Sequence, residues 1–240
     1  MKQLYIAASS SLLFALAVTA DPGAPSRTDT VIVEKYLSAA EAQLPRLRGV
    51  QMDADINARL PKLNKWGRMN VLRHISKVGK ISFIMRSFTG DNTVKKDFIA
   101  RVLDAERQSA DTASQYAIVP VNYKFKYKRM TTFRDRVVHI FEVEPRKKRV
   151  GLFKGELWLD AETYLPMRES GRFVKSPSIF LKKVEFVREY EIRDGMALPR
   201  HIESKADIRV IGRAEMSIDY SNFIWSDTDE PVLEVASQSQ

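Results

Sequence analysis

From Val121 to Phe223 the chain is a run of short alternating segments with no helical period between them, and this limits its possible folds more than any other feature. Val121, Tyr123, Phe125 and Tyr127 alternate with Asn122, Lys124, Lys126 and Lys128, and Val137, His139, Phe141 and Val143 share a phase in the next segment. Successive side chains of a strand point to opposite faces, so each segment has one apolar and one wet side. Further strands are expected at Gly151 to Asp160, Pro166 to Val174, Phe180 to Ile192, Met196 to Ala206 and Arg213 to Phe223, with Arg193-Asp194-Gly195 as a hairpin turn. Short joints favour an antiparallel meander, which must curl to bury one face.

Upstream, Asp29 or Thr30 can cap a helix running to about Leu44, where Pro45 closes it. Val50 to Leu60 alternates strictly, and Arg68 to Ser76 and Lys80 to Thr89 read as two more strands. The period then changes. Val94, Phe98, Val102 and Glu106 fall at i, i+4 spacing, which predicts a second helix over 94–107, followed by a polar loop from Gln108 to Gln115. The expected fold is α+β: an open half-barrel of about ten antiparallel strands with two to three helices on its concave side.

Lys2 followed by an apolar run ending at Ala20 has the pattern of a secretory signal, too short for a comfortable membrane span and with Val18 and Ala20 suited to cleavage. The organisation expected is a signal peptide over 1–20, a linker over 21–27, one domain over 28–226 and a polar tail over 227–240. No cysteine follows the cleavage point to carry a lipid anchor, and the absence of cysteine throughout excludes disulfides, thiol nucleophiles and thiolate metal sites. The expected location is the periplasm.

Lys2 is the only charged residue in 1–20, so the remaining chain carries a net charge of +8. Residues 121–154 hold 11 basic and 3 acidic residues, and the rest balances. Lys124, Lys126, Lys128, Arg146, Lys147, Lys148 and Arg149 are therefore the candidate docking residues for an anionic membrane surface or an acidic envelope protein. A solvated hairpin tip is the commoner explanation of a run such as Arg146 to Arg149, since charge runs at loop tips are frequent. Nucleic acid is not expected, because alternation puts the aromatics of 123–128 on one face and the lysines on the other, whereas a stacking platform needs both together.

Catalytic signatures are absent: there is no G-x-S-x-G, no H-E-x-x-H and no Gly-rich phosphate loop. His139 lies in the phase of Val137 and Phe141 and reads as a core or boundary imidazole, and Asp160 and Glu162 read as turn residues. No catalytic residue, metal or cofactor is expected. The apolar phases supply the candidate ligand-binding residues instead: Met52, Ile56, Phe83, Phe125, Phe141, Leu157, Leu159, Phe173, Phe186, Tyr190, Met216 and Ile218. Leu157, Phe186 and Met216 are expected to face the concave side and Trp158 the opposite one. Such a face is either filled by its own helices or left open as a slot for an acyl chain.

Two segments, Gly155-Glu156-Leu157-Trp158-Leu159-Asp160-Ala161-Glu162-Thr163-Tyr164-Leu165-Pro166-Met167-Arg168 and Val187-Arg188-Glu189-Tyr190-Glu191-Ile192-Arg193-Asp194-Gly195-Met196-Ala197-Leu198-Pro199, resemble the outer-membrane lipoprotein-sorting, periplasmic lipoprotein carrier (LolA/LolB-like) superfamily. The shared pattern is strand, D-x-x-T-x-x-P turn, strand, then strand, Asp-Gly turn and Leu-Pro strand. The resemblance implies an unclosed barrel lined with apolar residues, covered by helices, and used by carriers, receptors and sensors that bind lipid or acylated protein. The basic stretch is denser than that pattern implies, and the carrier's lid-closing arginine matches no single residue here. Two readings lead, an exported, non-enzymatic carrier of a lipid or acyl chain, and an envelope sensor or scaffold with a filled core that docks a protein through its basic face; a third, an envelope hydrolase, stays only because catalytic sites need not follow known motifs.

Overall fold

A computed structural model describes residues 27–109, 113–176, 181–209 and 211–226. The expected signal peptide, most of the linker, the C-terminal tail and the start of the eighth strand at Phe180 lie outside the described residues. Helix α1 (Arg27–Gln43) leads through a 3₁₀ turn at Leu44–Leu47 into β1 (Val50–Leu60), β2 (Lys65–Ile75) and β3 (Ile81–Gly90). A π-helical turn at Val94–Ile99, α2 (Ala100–Ser109) and the short α3 (Ala113–Tyr116) follow. Then come β4 (Tyr123–Phe133), β5 (Arg136–Pro145), β6 (Phe153–Asp160), β7 (Pro166–Phe173), β8 (Leu181–Arg193), β9 (Met196–Ile208) and β10 (Gly212–Trp225).

All ten strands form one antiparallel sheet in the order β3-β2-β1-β10-β9-β8-β7-β6-β5-β4. The open α+β sheet expected from the sequence is present, but it is not a simple meander. β3 and β4 are consecutive in the chain and lie at opposite edges, and the sheet is joined in its middle by β1 against β10, with Ile56 opposite Ile218. The helical segment between β3 and β4 therefore crosses from one edge to the other. At the β4 edge, outward lysines guard against further strand pairing.

Three stretches differ from their sequence patterns. The second helix begins as a π turn, in which Val94 and Ile99 stand five residues apart and are both fully buried. The Asp91 carboxylate accepts from the Thr93 and Val94 amides at 2.7 and 3.3 Å and fixes the start of that turn. The expected loop over 108–115 contains the end of α2 and most of α3, whose carbonyl at Ser114 accepts from the Asn122 side chain at 3.2 Å. β4 also runs past Lys128 to a two-residue turn in which Arg134 and Asp135 both take positive φ, at 49° and 61°. Such turns are usually announced by Asn-Gly or Asp-Gly, so this one carried no signal. Asp194 and Gly195, at 52° and 68°, form the turn that was signalled.

The D-x-x-T-x-x-P segment has a physical explanation. Asp160 is 1% exposed, its Oδ2 accepts from the Thr163 amide and hydroxyl at 2.8 Å each, and Arg136 donates to both carboxylate oxygens at 2.7 and 2.9 Å. One buried carboxylate thus ties the β6–β7 turn to the start of β5, as buried charges require.

Candidate functional site

Residues directly opposite each other in an antiparallel pair share a face. The register carries one row across the sheet: Ile56, Ile218, Ile202, Arg188, Glu169, Leu157, Phe141 and Tyr127. Both helices cover this face. Ile32, Val33 and Tyr36 of α1 join Phe141, Leu157, Leu159 and Phe186 in one core cluster, with Phe125 and Phe173 packed against it. Val94 and Ile99 join Ile56, Met216 and Ile218 in another, with Phe83, Phe98 and Val102 packed against it. Trp158 packs on the opposite face with Phe133 and Met167, and Arg168 lies over its ring.

The predicted cavity residues are therefore brought to one face but are not equally accessible. Met52, Ile56, Phe141, Leu157 and Leu159 are fully covered, Phe186, Met216 and Ile218 nearly so, and Phe83, Phe125, Phe173 and Tyr190 are half-buried. The first five form the floor under the helices.

Between the two clusters runs a polar seam. Arg188 and Glu169, opposite each other on β8 and β7, meet at 3.4 Å. Tyr190 hydrogen-bonds the Glu169 carboxylate, so its tip belongs to the seam although its ring was read as apolar lining. On the α2 side, Arg73 of β2 donates from Nε to Glu106 at 2.8 Å, and Nη2 reaches the same oxygen at 2.8 Å. Burial, followed by the neighbouring carboxylates, holds the Tyr36, Tyr190 and Tyr220 phenols above their ordinary range, so they remain donors at neutral pH. Burial works against the charge of Arg188, but Glu169, Tyr190 and Glu106 raise its pKa.

Arg188, Glu169, Arg73 and Glu106 were not among the site residues expected from the sequence, where Glu106 figured only in the helical stripe of 94–107. The signal for two of them was present: Arg188 shares the phase of Phe186 and Tyr190, and Glu169 that of Gly171 and Phe173, so each is a charge in an apolar phase. At the far end of the face His139 stacks on Tyr164 with ring centroids 6.4 Å apart and lies 3.4 Å from the Tyr127 hydroxyl. Among the described residues no group of His, Asp and Glu could hold a metal ion. A separate cleft of about 560 Å³, lined by Arg59, Asn64, Trp66 and Arg68, lies beside the β1–β2 turn, away from the seam.

The basic residues are distributed over several roles. Lys124 and Lys126 stand on the outer face of β4, opposite Glu144 and Glu142 of β5, and Lys128 lies 3.5 Å from Glu142. Arg146 donates to the Pro120 carbonyl at 2.6 Å and Arg149 to the Asn122 side chain at 2.7 Å, so these two also brace the segment before β4. Lys147 and Lys148 are exposed between them. No helix among the described residues is long and apolar enough to cross a membrane.

No protein-family model matches the chain, and no curated protein matches it. Among solved structures it is similar to a LolA superfamily protein from Nitrosomonas europaea at 15% identity, covering 83% of this chain and 94% of that one, with a TM-score of 0.40. It is similar to an outer membrane lipoprotein-sorting protein domain from Vibrio parahaemolyticus at 12% identity, covering 82% and 95%, with a TM-score of 0.43. A DUF1329 family protein from Desulfovibrio piger is similar at 11% identity, covering 82% and 93%, with a TM-score of 0.45.

Proposed function

We propose that this chain is an exported, non-enzymatic binder of an acyl chain or lipid, held on the concave face between α1 and α2, with the sorting of acylated proteins to the outer membrane as one use of that face. The observation that carries this reading is the division of the helix-covered face into two apolar clusters, with half-buried Phe83, Phe125 and Phe173 at their margins. The helices contact the sheet through separate clusters, so they can part without unfolding it. An acyl chain that replaces part of a helix contact gains about 0.8 kcal/mol for each methylene buried. Docking to an anionic membrane or an acidic partner falls to the basic residues of β4 and of residues 146–149.

The full burial of Met52, Ile56, Phe141, Leu157 and Leu159 favours a second reading, a sensor or scaffold whose core is filled by its own helices. Native mass spectrometry on protein purified from a membrane-bearing host separates the two. A co-purified lipid mass that disappears on organic extraction supports the carrier. A bare chain mass that also fails to take up added lipid supports the scaffold.

A further inference from the structure

Arg188 occupies an unusual position for a charged side chain. It stands at the middle of the sheet's row of opposed residues, with Phe186 and Tyr190 on its own strand and Ile202 opposite it on β9. Glu169 and Glu106 both act on it, the first from β7 and the second from α2. Although it lies deep enough among neighbouring atoms for burial to oppose its charge, 41% of its side-chain surface still meets solvent, whereas Arg73 on the same face is only 11% open. A guanidinium so surrounded is still partly wetted on the helix-covered face.

Its hydrogen bonding is also incomplete. A guanidinium carries five N–H donors in a rigid fork suited to carboxylate or phosphate oxygens. Among the described residues Arg188 makes one contact, from Nη1 to Glu169 at a long 3.4 Å. The group lies over the Phe186 ring at 4.8 Å, which fixes its plane. Arg73, by contrast, directs two nitrogens onto Glu106. Of the two seam cations, one is committed to a helix and one is available.

We propose that Arg188 is the headgroup contact for the ligand of the concave face, and that this ligand is a monoanionic amphiphile whose carboxylate or phosphodiester oxygens take the N–H groups left by Glu169. This rests on the acyl-binding reading above. The charge state follows from the seam itself. The seam carries two guanidiniums and two carboxylates, so a monoanionic head brings it to one net negative charge with the directed donors of Arg188 to meet it, whereas a dianion brings it to two with no further cation among these four residues. An uncharged head of the same chain length would leave the guanidinium donors unfilled.

The test uses dodecanoate and dodecanol, probes of equal chain length, titrated calorimetrically below their aggregation limits at pH 8. They are added to wild type, to Arg188→Met, and to the double variant Arg188→Met/Glu169→Gln, which leaves no uncompensated charge should the single variant fail to fold. Wild type is expected to bind dodecanoate about 10- to 100-fold more tightly than dodecanol, the range for hydrogen bonds to a charged group. The double variant is expected to bind both probes with the dodecanol affinity of wild type. Equal binding of the two probes by wild type overturns the headgroup assignment and leaves the acyl-binding reading standing. Retained preference in the double variant overturns the assignment to Arg188. Binding of neither probe by wild type overturns both.

Discussion

Arg73 on β2 and Glu106 on α2, 33 residues apart in the chain, converge on a single carboxylate oxygen through two 2.8 Å contacts. This pair joins the crossing helix to the concave face beyond its apolar contacts. Replacing Arg73 by Met is expected to cost about 1–3 kcal/mol. The loss should be concentrated in α2. Hydrogen exchange should quicken over Ala100 to Arg107 while α1 amides keep their protection, and equal acceleration in both helices would contradict a local role.

Asp160 should set part of the acid limit of stability. Burial alone would raise its pKa, but Arg136 and the Thr163 amide and hydroxyl lower it overall. A carboxyl lowered by folding contributes fully above its unfolded value, about 3.9, and loses that contribution as pH falls through the folded value. Asp160→Ala is expected to cost about 2–4 kcal/mol at neutral pH. Urea unfolding between pH 3 and 6 should show a flatter acid limb in the variant than in wild type.

The histidines should move in opposite directions. Burial lowers His139, with Asp160 opposing weakly, whereas His201 is raised because Asp219 at 2.6 Å and Glu203 at 3.4 Å outweigh its burial. His201 then stabilises the fold below its unfolded value of about 6.5 and ceases to do so as pH rises through its higher folded value. His139 contributes above about 6.5 and loses that contribution as pH falls through its lower folded value. NMR titration of the imidazole Cε1–H signals, assigned with His139→Gln and His201→Gln, should place His201 above and His139 below that reference.

Gly155 and Gly171 face each other across β6 and β7, and neither can accept a side chain. A Cβ on Gly155 would lie 1.9 Å from the Ser170 carbonyl oxygen, and one on Gly171 would lie 2.5 Å from that of Lys154. Backbone would have to shift in either case. Gly155→Ala or Gly171→Ala is expected to destabilise by at least about 1–3 kcal/mol, measured by thermal unfolding. Gly79→Ala, where a Cβ meets nothing within 4 Å but φ is +86°, should show backbone strain without a clash.

The basic residues of 124–149 should give salt-sensitive adsorption to anionic vesicles and none to neutral ones, at about 1 kcal/mol for each residue near the surface. Replacing Lys124, Lys126, Lys128, Arg146, Lys147, Lys148 and Arg149 by Gln should abolish it in co-sedimentation. Restoring Lys147 and Lys148 alone should recover more binding than restoring Arg146 and Arg149, because both arginines already bond the 115–122 segment.

The sequence by itself determined the strands and the faces of their side chains. A period of two is a local property, so Leu157, Phe186 and Met216 could be placed against Trp158 before any pairing was known. The D-x-x-T-x-x-P and Asp-Gly turns were legible for the same reason, since their conformations depend on residues a few positions apart. The pairing of β1 with β10, which sends β3 and β4 to opposite edges, was not legible, because it joins residues such as Ile56 and Ile218 that no local rule relates. The same pairing aligns Arg188 and Glu169 with the apolar rows on either side, and the helix crossing brings Glu106 to Arg73. A charge in an apolar phase was visible in two strands, but only the tertiary structure could set those charges face to face and leave one of them open to solvent. Long-range register and helix placement are outcomes of the whole chain's packing, and they decide where a local pattern becomes a site.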